Sequence, residues 1–118
     1  MKIRIKGNSV RFRLTKSDIA ALANGSAIKE QTEFLSKTVC YQIHPSDNET
    51  ISADFDGDNL VLQMPKVMIN ELKNTDKVGF SGISGAVSLL IEKDFTCLDN
   101  VEEDQSDNFP NPLVKNNN

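Results

Sequence analysis

The chain has 118 residues, is 38% hydrophobic and 25% charged, and carries a formal net charge of −4. That length fits one domain, able to bury about two thirds of its unfolded surface without a disulfide or metal staple. The acidic balance argues against a nucleic-acid-binding domain, which shows a basic excess, and no window approaches the roughly 20 apolar residues of a membrane span.

The opening Met1-Lys2-Ile3-Arg4-Ile5-Lys6 is charged from the start and contains no apolar run of signal-peptide length. Alternation continues through Val10-Arg11-Phe12-Arg13-Leu14, with Gly7-Asn8-Ser9 between the two runs, so residues 2–14 read as a β-hairpin. Ile3, Ile5, Val10, Phe12 and Leu14 would face the core. Lys2, Arg4, Lys6, Arg11 and Arg13 would share the opposite face. Thr15-Lys16-Ser17-Asp18 is a variant capping box and Asn24-Gly25 a stop, which predicts a short helix over about 15–24. Residues 27–34 and 38–43 read as strands, and Pro45 to Glu49 as a loop. Ile51 to Phe55 and Leu60 to Met64 flank Asp56-Gly57-Asp58-Asn59, a hairpin signal. Pro65 can open a helix with Val67, Met68, Ile69 and Leu72 as its apolar stripe. Gly79 to Gly85 reads as a loop or a bulged strand, and Val87 to Thr96 as a strong strand. No internal repeat is read along the chain.

These elements predict an α+β fold: a mostly antiparallel, curved or partly closed sheet of about six or seven strands with two short helices. The domain would cover residues 1–98, and residues 99–118 would form an acidic, polar and partly irregular tail.

Charge is unevenly placed. Residues 1–16 hold Lys2, Arg4, Lys6, Arg11, Arg13 and Lys16 and no acid, a net of +6, whereas residues 92–107 net −6. Like charges on neighbouring strands oppose one another, so the cationic face has three readings. It meets an external anion, it meets the chain's own acidic segment, or it is a solvated face whose long stems cover apolar surface. Aromatic residues for base stacking are absent from it, so nucleic acid is not an expected partner.

Other motifs carry less. Asp54 to Asp58 looks like a calcium loop, but its glycine falls early and Pro65 stands where a closing Glu belongs. Gly79 to Gly85 lacks the residues of a phosphate or dinucleotide loop, although its amides are a second place to seek a phosphate. Cys40 and His44 share a strand face about 13 Å apart, too far for a nucleophile and its base. The isolated Cys40 and Cys97 suggest no disulfide framework and a cytoplasmic protein. Residues 99–107 match no cation-binding spacing.

The segment Lys2 to Leu14, together with Ile91-Glu92-Lys93-Asp94-Phe95 and Glu103 to Pro112, resembles a family of small bacterial proteins of unknown function. That resemblance implies a bacterial cytoplasmic protein and brings no activity. The basic alternation of Lys2 to Arg13 also resembles the lining of the triphosphate-tunnel superfamily, whose members hold polyphosphate among Lys and Arg and bind metal through paired Glu. Here the opening acidic pair of that family is replaced by Lys2, Arg4 and Lys6, and Glu92 with Asp94 is the alternating acidic pair that could serve a metal.

The sequence therefore points to a non-enzymatic binding or interaction module. Lys2, Arg4, Lys6, Arg11 and Arg13 would be the anion-binding residues, facing an anionic small molecule, an acidic protein partner or the acidic C-terminal segment, with no cofactor. The alternative is a metal-dependent phosphohydrolase or polyphosphate-binding protein using Glu92 and Asp94.

Overall fold

The computed structural model describes residues 1–95 and 106–110. The chain runs β1 (Lys2–Lys6), β2 (Ser9–Leu14), α1 (Lys16–Ala23), β3 (Ile28–Glu33), β4 (Thr38–Ser46), β5 (Ser52–Asp56), β6 (Asn59–Pro65), α2 (Lys66–Asn74), β7 (Gly79–Ser84) and β8 (Val87–Lys93). The fold is α+β, as the patterning predicts, but the strands form two four-stranded sheets rather than one. Their orders are β1-β2-β8-β7 and β3-β4-β6-β5. Each is mixed: its outer pairs are antiparallel hairpins and its central pair, β2 with β8 or β4 with β6, is parallel. Hairpins are local and legible in sequence. The parallel seams join hairpins far apart in the chain, which strand-by-strand patterning does not register.

The expectation of no internal repeat is corrected by this topology. Each half of the chain is hairpin, helix, hairpin, and exchanging the halves maps the pairing scheme onto itself. Residues 2–24 align with residues 52–74. Gly7 matches Gly57, both with positive φ in the hairpin turn, and Phe12, Leu14, Ile19 and Leu22 match Leu62, Met64, Ile69 and Leu72, all buried. The repeat lies in the turn glycine and the core positions, while outward positions have diverged in charge. Each sheet takes one hairpin from each half, so the halves are interlocked and helices α1 and α2 pack on one another.

Two local expectations change as well. The glycine-rich segment is a regular strand, β7, paired along β8. Strand β4 runs on through Pro45 to Ser46, into the stretch expected to be a loop. Proline is tolerated there because β3 pairs with β4 only as far as Ile43, so that side of Pro45 needs no amide.

Helix α1 begins with the capping box. Thr15 Oγ1 accepts from the Asp18 amide at 3.3 Å, and Asp18 Oδ2 accepts from the Thr15 amide at 3.0 Å. Ile19 and Leu22 face the core. In α2 the buried residues are Ile69 and Leu72, while Val67 stays exposed. The two sheets meet where β5 approaches β7. Ser84 Oγ accepts from the Ala53 amide at 3.2 Å and donates to the Ala53 carbonyl at 3.1 Å, bridging the two strands.

Candidate functional site on the first hairpin

The β1–β2 register sets Lys2 against Arg13 and Arg4 against Arg11, with Lys6 against Ser9. The five cations share one face, as their alternation predicts, and two pairs of like charge are directly opposed. Such pairs need a compensating anion. Part of it comes from β8, whose Glu92 is the register partner of Arg13. Glu92 Oε1 lies 3.1 Å from Arg13 Nε and 3.6 Å from Arg11 Nε. Beyond the strand, the buried Asp94 places Oδ2 3.2 Å from Lys2 Nζ. Among the described residues no ion pair is formed by Arg4 or Lys6. The cationic side chains line a shallow depression of about 160 Å³ bounded by Lys2, Ile3, Arg4, Arg11 and Arg13.

Glu92 and Asp94, the candidate metal pair, are thus directed at Arg11, Arg13 and Lys2. No group of three or more His, Cys, Asp or Glu side chains able to hold a metal occurs among the described residues. Asp54 to Asp58 forms the end of β5 and its turn. On β4, Gln42 links Cys40 and His44: its Oε1 lies 2.7 Å from His44 Nε2, and its Nε2 donates to Cys40 Sγ at 3.3 Å.

The acidic segment divides. Glu92 and Asp94 belong to the cationic face. Asp107 instead sits at the start of α1, where its carboxylate accepts from the Ser17 hydroxyl and, at 3.3 Å, from the Ser17 amide. The Ser17 hydroxyl bond, followed by one from Thr15, holds the Asp107 carboxyl below the usual carboxylate range. Cys97, Asp99, Glu102, Glu103 and Asp104 lie outside the described residues.

Sequence reasoning gave no role to Lys93. It is buried, donates from Nζ to the Thr75 carbonyl at 2.9 Å and lies 5.0 Å from the Phe109 ring centre. Burial lowers its pKa, against the pull of Asp76. Its place at the end of an apolar strand is the hint the sequence offers; the structure adds that its cationic head reaches the C-terminus of α2.

Two interlocked mixed sheets, one bearing a partly neutralised cationic face, define an α+β protein. Residues 1–113 match the family of unknown function DUF7009, and the chain belongs to that family. The resemblance to a family of unknown function is thereby borne out. No curated protein and no solved structure matches the chain. Nothing in these comparisons supports the triphosphate-tunnel likeness. No helix among the described residues is long and apolar enough to cross a membrane.

Proposed function

We propose that the protein is a non-enzymatic binding module of the bacterial cytoplasm whose working surface is the outer face of the β1–β2 hairpin. The observation that carries this reading is the direct opposition of Arg4 and Arg11 above a depression lined by cations. Glu92 holds Arg11 and Arg13 close to one carboxylate, which fixes their guanidinium groups in position, while Arg4 and Lys6 keep their charge for an incoming anion. A compact polyanion or a carboxylate-rich protein surface fits that arrangement, because guanidinium groups bind planar oxyanions bidentately. The phosphohydrolase reading gains nothing from the geometry, since Glu92 and Asp94 both face cations.

Thermal unfolding in the presence of phosphate, pyrophosphate, tripolyphosphate and ATP, with and without magnesium, tests the proposal. Binding at 100 times the dissociation constant adds about 2.7 kcal/mol, a clear upward shift in Tm. Replacing Arg4 and Arg11 together by Ala should abolish the shift. A shift that persists in the double variant would place the site elsewhere, and one that needs magnesium would return the phosphohydrolase reading.

A further inference from the structure

The internal repeat places a second surface on the molecule that is the counterpart of the first. Lys2, Ile3, Arg4, Arg11 and Arg13 line the depression on the β1–β2 hairpin. Their equivalents Ser52, Ala53, Asp54, Val61 and Gln63 line a depression on the β5–β6 hairpin. The strand registers agree residue for residue: Arg4 opposes Arg11 as Asp54 opposes Val61, and Lys6 opposes Ser9 as Asp56 opposes Asn59. One hairpin presents Arg4 and Lys6 where the other presents Asp54 and Asp56. Among the described residues none of these four side chains takes part in an ion pair.

We propose that the partner of the cationic hairpin is a second copy of this chain, which docks its β5–β6 hairpin there through Asp54 and Asp56. The inference rests on the cationic face being a binding surface and names what it binds. Two charges two residues apart on a strand are separated by about 6.8 Å, so the Arg4–Lys6 spacing on β1 equals the Asp54–Asp56 spacing on β5. Laid face to face in opposite directions, the two strands bring Arg4 to Asp56 and Lys6 to Asp54 at once. Ile5 and Phe55, the equivalent residues between these charges, are 62% and 61% exposed; by strand parity they point to the opposite face, so the contact rests on the charges. The contact is heterologous: each copy donates one acidic hairpin and one basic hairpin, so assembly proceeds to a closed ring or continues as an open chain. Being ionic, it strengthens at low salt, where the Debye length at 0.01 M is about 30 Å against about 8 Å at 0.15 M.

Charge exchange between two variants of the full chain is the test. In one variant Arg4→Asp and Lys6→Asp make the outer strands β1 and β5 both acidic; in the other Asp54→Lys and Asp56→Lys make both basic. Sedimentation at low ionic strength should show the unmodified chain associating as its concentration rises, each variant remaining monomeric alone, and an equimolar mixture of the two associating again. Regained association in the mixture cannot come from misfolding of either variant. An unmodified chain that stays monomeric throughout, or a mixture that stays monomeric, overturns the proposal. Association undiminished in either variant alone does so as well. The Asp54→Lys, Asp56→Lys variant keeps the whole cationic face, so an anion-induced Tm shift in that variant without self-association would sink the choice of partner and leave the binding surface standing.

Discussion

Arg13 and Glu92 are register partners across the parallel β2–β8 seam, and the same Glu92 oxygen reaches Arg11, two register positions away and next on that face. One carboxylate therefore moderates two guanidinium groups in a row of five cations. The side chains of Arg13 and Glu92 are 40% and 20% exposed, so each pair contributes no more than about 1 kcal/mol. Replacing Glu92 by Gln should lower the urea-unfolding free energy by about 1 kcal/mol and tighten the binding of inorganic anions, because the guanidinium groups lose their internal competitor. A variant with weaker anion binding would show that Glu92 positions the arginines more than it competes for them.

Asp107 carries a pH signature. Its folded-state pKa is depressed, first by the Ser17 hydroxyl and then by Thr15, from an ordinary value of 3.8. A depressed carboxyl stabilises the folded state above its unfolded pKa and loses that contribution as pH falls through the folded value. The Tm of the Asp107→Asn variant should therefore lie below that of the parent at neutral pH, and the gap should close as the solution is acidified below about 3.8. A gap independent of pH would mean that the ionisation of this carboxyl adds nothing to its contact with α1.

Much of the fold was legible because its signals are local. The Lys2–Leu14 alternation, the glycine turns at Gly7 and Gly57, and the Thr15–Asp18 box each act within a few residues. What was missed is non-local. The β2–β8 and β4–β6 seams depend on apolar faces meeting across most of the chain. The repeat was hidden because Arg4 and Arg11 became Asp54 and Val61 while the buried partners Phe12 and Leu62 kept only their apolar character. Strand β7 was hidden by its glycines. The candidate cations fell on one face because parity in a strand fixes facing, whereas the attachment of Glu92 to two of them required the parallel seam.

One of those glycines is required by packing. A Cβ on Gly79 would run into the Ile91 carbonyl oxygen and the Cα and Cβ of Glu92. Strand β7 can therefore lie close to β8 at this point only with a bare backbone. Gly79→Ala should cost about 1–3 kcal/mol, the usual range for forced overpacking, read as a lower denaturation midpoint. Because Glu92 is among the displaced groups, the same substitution should also alter anion binding on that face of the sheet, whereas Gly82→Ala, whose added carbon would meet Ile51 no closer than 3.7 Å, should leave it unchanged.

The exchange of hairpins between halves decides how the molecule unfolds. Phe12 belongs to the first half and Leu62 to the second; both are fully buried in one continuous core. Strand β2 has its inner partner in β8, and β6 has its own in β4. Neither half retains a complete sheet without the other, so the halves cannot melt separately. Phe12→Ala should destabilise by about 3–5 kcal/mol and Leu62→Ala by about 2–5 kcal/mol. Each should move one and the same cooperative transition, seen alike by circular dichroism and by calorimetry. Two resolved transitions, with Phe12→Ala shifting one and Leu62→Ala the other, would show two independent halves and contradict the interlocked sheets.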